Sequence, residues 1–114
     1  MQTPTIPEEA IAKYSFIGSF HGPSKELERC RAQERKSGKW LHLDRNYKPA
    51  YPARFDCVSD YNKFEKEWKS CVQIGNDKSF QIYYIDLAGE RCSKVQVVKE
   101  SDKSLCVEIN VFPN

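Results

Sequence analysis

The side chains able to do chemistry are scattered along the chain. His21 and His42 are its two imidazoles. Neither stands at a nucleophile-motif spacing from a Ser or Cys, and no G-x-S-x-G elbow occurs. A catalytic pair would therefore have to be assembled in space from distant segments. Asp44 and Asp86 end expected strands, where an enclosed acid for general acid–base work would sit. Glu8–Glu9 and the Glu65/Glu67 pair read as helix surface. Gly18 and Gly22 bracket Ser19-Phe20-His21, which is neither a phosphate loop nor a dinucleotide fingerprint.

The five cysteines, Cys30, Cys57, Cys71, Cys92 and Cys106, come no closer than 14 residues to one another. That spacing excludes a CxxC redox pair and a zinc knuckle. No metal and no cofactor are expected. An odd thiol count fits reduced, separately placed cysteines, and so an intracellular protein, cytoplasmic or nuclear. The alternative is a secreted protein with two disulfides and one spare thiol. Residues 1–14 hold no apolar run of the signal-peptide kind. No stretch approaches the ~20 apolar residues that span a bilayer, so no membrane role is expected.

Charge is the stronger lead. The chain as a whole is nearly balanced, at +2, which argues against a general polyanion binder. Between residues 25 and 54, however, Lys or Arg stands at nine positions and Asp or Glu at four. Tyr47 and Tyr51 interleave with Arg45, Lys48 and Arg54. Such mixtures anchor protein contacts, where Tyr and Arg dominate binding energy, and they also grip single-stranded nucleic acid. The expected binding set is Arg29, Arg31, Arg35, Lys36, Arg45, Tyr47, Lys48, Tyr51 and Arg54, with no catalytic residue. The expected function is a non-enzymatic module taking a protein or peptide, possibly acidic. Nucleic-acid binding by the same surface is the alternative.

These residues need elements to position them. Residues 1–7 read as a lead-in to one domain over 1–114, a length that supports one core. A short helix is expected over 8–13 and a short strand over 14–20. Ser24 as N-cap, acids in the first turn, Arg35 and Lys36 in the last and Gly38 as stop predict a charged edge helix over 24–37, docked by Leu27 and Cys30. A strand over 39–44 leads to a loop over 45–56. Tyr61, Phe64, Trp68, Cys71 and Val72 recur at helical spacing, predicting an amphipathic helix over 59–74 with Trp68 in the core. Three strand-like runs follow, the last with Leu105, Val107, Ile109 and Val111 on one face.

Gly18-Ser19-Phe20, a charged helix, and then Lys39-Trp40-Leu41 resemble the start of the UAS domain, a thioredoxin-like module of ubiquitin-handling adaptor proteins. That resemblance implies a thioredoxin-like βαβαββ path as the alternative fold, and it assigns no functional residue here. The fold expected from the residues is α+β: a mostly antiparallel four- to five-stranded sheet with the 59–74 helix packed on it and the 24–37 helix at its edge.

Overall fold

Two-residue alternation, not helical period, governs nearly every element. The computed structural model describes residues 6–76 and 78–99. A short helix α1 (Glu8–Lys13) leads into β1 (Tyr14–Ile17), β2 (Cys30–Glu34) and β3 (Trp40–Leu43). These form an antiparallel meander in the order β1-β2-β3. The chain continues through β4 (Cys57–Val58), β5 (Asn62–Phe64), β6 (Glu67–Gly75), β7 (Ser79–Ile85) and β8 (Gln96–Lys99). The second sheet runs β4-β6-β7-β8, with β5 also paired to β6.

The α+β expectation is thus overturned: the described chain is mostly β, and its one helix has six residues. The thioredoxin-like path fails with it, since neither segment expected to be a long helix is one. The strand expected over 105–111 lies outside the described residues.

The 24–37 segment makes only a turn near Ser24, where the Leu27 N–H reaches the Ser24 carbonyl at 3.2 Å, and then extends as β2. As a helix it would bury little more than Leu27 and Cys30. As a strand it buries Cys30 and Ala32 completely and pairs with neighbours on both sides, leaving Leu27 exposed. The alternation Cys30, Arg31, Ala32, Gln33 is a strand pattern that the capping signals at either end conceal.

The 59–74 segment is a hairpin. Phe64 pairs with Glu67, so Glu65 and Lys66 form a two-residue connection, with Glu65 at φ 59°. Positive φ at the first central position is the signature of the II′ turn, where Gly is the usual residue. Glu65-Lys66 gives no such sequence signal, and the strand it leads into hides its alternation. Ser70 and Val72 share the inward face and are fully buried, and the polar Ser70 interrupts the apolar pattern. Trp68 packs against the core from a half-buried strand position. The two structures predict opposite signs for Glu65→Gly. Relief of positive φ should raise stability by about 1 kcal/mol in the hairpin. In a helix interior the same change would lower it by about that amount. Urea unfolding of the variant decides between them, and a lowered midpoint would contradict the hairpin.

One hydrophobic cluster joins the sheets: Leu41 and Leu43 from β3, Val58 and Tyr61 from the β4–β5 segment, Val72 and Ile85 from the second sheet, with Ala10 and Tyr14 at one end. α1 appears where expected with Ala10 buried, although Ile11 faces solvent.

Candidate functional site

The site is positioned by a break in one strand. β4 and β5 both lie beside β6, interrupted at Ser59, Asp60 and Tyr61. Ser59 holds the break. Its backbone N–H donates to the Cys71 carbonyl at 2.9 Å, and its hydroxyl oxygen accepts the Cys71 N–H at 2.9 Å. Tyr61 then turns fully into the core, and its hydroxyl donates to the Asp86 carbonyl at 2.6 Å. Asp60 is left at the seam between the two sheets, beside β2.

Facing Asp60 is Arg31. Phe16 stands opposite Gln33, and Gln33 opposite Trp40, so these side chains share the outer face of the meander. Arg31 lies on that same face, two residues before Gln33 along β2. Its guanidinium carbon is 5.2 Å from the Phe16 ring centroid and 5.5 Å from that of Trp40. The two rings are themselves 5.5 Å apart. Gly18 leaves room for the Arg31 stem, because a Cβ there would meet Phe16 at 3.3 Å and Arg31 Cγ at 3.4 Å. Arg31 Nε faces Asp60 Oδ1 at 3.4 Å. A guanidinium carries five N–H donors. Only the Nε side of Arg31 is engaged, and among the described residues its two Nη groups have no hydrogen-bond partner. The side chain remains 36% exposed. Two rings and a carboxylate therefore hold a fork whose outer prongs meet no acceptor among the described residues. Asp60 Oδ1 is itself buried with no hydrogen bond, so the Arg31 contact is ionic rather than a well-formed bond.

His21 completes the seam. Its Nε2 lies 3.0 Å from Ser19 Oγ and 3.6 Å from Asp60 Oδ2. Ser, His and Asp are the residue types of a nucleophile relay, which needs the acid on one ring nitrogen and the hydroxyl on the other. Here both contacts fall on Nε2, so this grouping relays no proton from Ser19.

His42 is a structural lock. It is fully buried, with Nδ1 at 2.6 Å from the Tyr51 hydroxyl and Nε2 at 2.8 Å from the Ser59 carbonyl. A carbonyl only accepts, so Nε2 carries the proton and Nδ1 accepts from Tyr51. Burial pushes the imidazole pKa down to about 4; the Ser59 carbonyl opposes this, and the charges of Arg29 and Arg31 add to it. Burial likewise raises the Tyr51 and Tyr61 hydroxyls. All three groups are neutral at neutral pH. Asp44 and Asp86, expected as enclosed acids, organise turns instead. Asp44 Oδ1 accepts the N–H groups of Asn46 and Lys48, and Asp86 Oδ1 those of Ala88 and Glu90.

The structure divides the nine expected binding residues. Tyr51 is buried against His42. Arg54 ties its own loop together: Nε pairs with Glu34 at 3.1 Å, and Nη1 donates to the carbonyls of Tyr51, Pro52 and Ala53. Arg29 donates from Nη1 to the Glu28 carbonyl at 3.1 Å, and its Nε is buried without a partner. Arg35 donates to the Ile11 carbonyl at the end of α1. Lys36 is exposed on the turn between β2 and β3, and Arg45 and Lys48 are exposed on the turn after β3. Tyr47, at φ 62°, is half-buried with its ring edge-on to Phe20. Arg31 is the one of the nine whose guanidinium rests against two aromatic rings while both of its Nη groups lack a hydrogen-bond partner among the described residues. Its partners Phe16, Trp40, Asp60 and His21 fell outside the expected set. Reading 30–34 as a strand opposite Trp40 would have found the first two.

Cys30, Cys57, Cys71 and Cys92 carry thiols rather than disulfides. Burial pushes Cys30 up to about 12 and Cys71 to about 11, which keeps both protonated. No group of three or more His, Cys, Asp or Glu among the described residues is placed to hold a metal. No helix among them is long and apolar enough to cross a membrane. The chain matches no protein-family model, no curated protein and no solved structure.

Proposed function

We propose that this chain is a non-enzymatic binding domain that takes an acidic segment of a protein or peptide on the outer face of its first sheet, with Arg31 as anchor. The observation that carries this reading is the Arg31 guanidinium, held against the touching rings of Phe16 and Trp40 with both Nη groups unpartnered among the described residues. A carboxylate fits such a fork with two parallel hydrogen bonds, the strong geometry for an Arg–anion contact. The aromatic flanks lower the cost of binding, because the side chain is ordered before the partner arrives. Phe16, 39% exposed, supplies adjoining apolar surface.

The rings would equally stack bases, but the local charge favours a single carboxylate over a phosphate chain. Asp60 stands beside Arg31, and the exposed cations Lys36, Arg45 and Lys48 of the expected set sit on other turns. Selection from a display library of random peptides tests the reading. Enriched sequences should carry Asp or Glu and should bind Arg31→Gln at least tenfold more weakly, about 1.4 kcal/mol. Enrichment without acidic residues would overturn it. So would tight binding of a labelled random single-stranded DNA that falls log-linearly with salt, the mark of nucleic-acid binding.

A further inference from the structure

A groove opens beside Arg31 across the outer face of the second sheet. Its volume is about 380 Å³, and Arg31 is one of its lining residues. The residues that shape it come from four strands: Cys57 of β4, Phe64 of β5, Cys71 of β6, and Ile82 and Tyr84 of β7. Register places them on one side of the sheet. Cys71 pairs with Tyr84, and Cys57 and Ile82 each pair with Gln73, two residues along β6 from Cys71. Phe64 lies edge-on to Tyr84 with centroids 5.4 Å apart. Ile82 and Tyr84 are each 6% exposed, so the floor is apolar and closely packed. The side chains of Cys71 and Tyr84 are held neutral by burial and carry no charge to repel an apolar guest.

We infer that the partner's acidic residue is accompanied, within about two positions, by a large apolar or aromatic side chain that fills this groove. The inference rests on the reading of Arg31 as the acid anchor and adds the second determinant. Arg31 lines the same cavity as the apolar floor, and an extended peptide presents alternate side chains to one side, about 6.6 Å apart. Main-chain pairing with the sheet is not required, because the charged fork fixes one end of the peptide and the apolar side chain the other. A two-point ligand of this kind is selective: an acid without the apolar neighbour leaves the groove to water, and the apolar residue alone leaves the fork unused.

The probes are three blocked pentapeptides, acetyl-Gly-Glu-Gly-Phe-Gly-amide and its forms with Gln in place of Glu or Ser in place of Phe. Each is titrated into the full chain and followed by amide chemical shifts. For the wild-type chain the Glu/Phe peptide should bind at least tenfold more tightly than either control, with shifts at Arg31, Asn62, Phe64 and Tyr84. Arg31→Gln should lose the preference for Glu over Gln and keep that for Phe over Ser. Cys57→Phe, at an exposed strand position that tolerates an aromatic, should fill the groove and show the reverse. A wild-type preference for Glu without one for Phe overturns the groove and leaves the Arg31 reading standing. A preference for Phe without one for Glu overturns the Arg31 reading, and equal binding of all three peptides overturns both.

Discussion

Lowering the pH from neutral to about 4 should remove about 3 kcal/mol of folding stability, and the loss should trace to His42. The imidazole titrates near 4 when folded, against 6.5 as its ordinary value. Between these values the unfolded chain binds one proton more than the folded chain. Stability therefore rises with pH across the window and falls as pH drops through it, by about 1.4 kcal/mol per pH unit. The protonated ring could no longer accept from Tyr51 at Nδ1, and the contact at 2.6 Å would have to reverse, with Nδ1–H donating to the Tyr51 oxygen. His42→Gln provides the control, because it offers a donor to the Ser59 carbonyl but takes up no proton. Urea unfolding across the pH range should give a steep slope for the wild type and a flatter one for the variant. Equal slopes would place the acid sensitivity elsewhere. Glu34 and Asp56, whose carboxyls are held below their ordinary values of 4.5 and 3.8 by hydrogen bonds and lysine or arginine charge, add their own losses as pH falls through and below those values, equally in the wild type and in His42→Gln.

Gly89→Ala should be nearly as damaging, at about 2–5 kcal/mol. The backbone at Gly89 has φ 82°, and a Cβ there would fall 2.5 Å from Tyr51 Cγ and 2.7 Å from Cδ2. Tyr51 has little freedom to withdraw. It is 4% exposed, bonded to His42 through its hydroxyl and packed edge-on against Phe55. Overpacking of this kind costs about 1–3 kcal/mol, and left-handed backbone adds roughly 1–2 for a residue with a side chain. Gly38 separates the two contributions. It has φ 73° with nothing within 4 Å of its Cβ position, so Gly38→Ala should cost only the backbone share, about 1–2 kcal/mol. Equal losses at the two glycines, measured by thermal unfolding, would mean that Tyr51 yields and the His42 lock is soft.

The parts of the fold that could be read from sequence are those where alternation stands clear of other signals. The run Ser79–Ile85 became β7 because Ser79, Phe80, Gln81 and Ile82 alternate and aromatic residues continue the run, and Trp40–Leu43 became β3 with Leu41 and Leu43 on one side and Trp40 and His42 on the other. β2 was masked by capping residues at both ends, which are legible locally, whereas the pairing with β1 and β3 that overrides them is not. β5 and β6 were masked because aromatics at helical spacing also satisfy a hairpin once Glu65 accepts positive φ. The site followed the elements. Arg31 was expected in a binding surface, but on a helix it would have stood beside Arg35 rather than against Phe16 and Trp40. Two of the nine residues expected to bind spend polar groups within the protein: Tyr51 on the buried His42, and Arg54 on Glu34 and the carbonyls of its own partly exposed loop.

Arg31→Lys separates the geometry of the fork from its charge. Lysine keeps the positive charge near Asp60 but replaces a planar set of donors with a compact ammonium that cannot bind a carboxylate bidentately. Titration of one selected acidic peptide into the wild-type chain and into Arg31→Lys, with melting temperatures compared, gives the answer. At least tenfold weaker binding by Arg31→Lys with little change in melting is the predicted result. Equal affinity for the two proteins would contradict the account, reducing Arg31 to one surface charge among several.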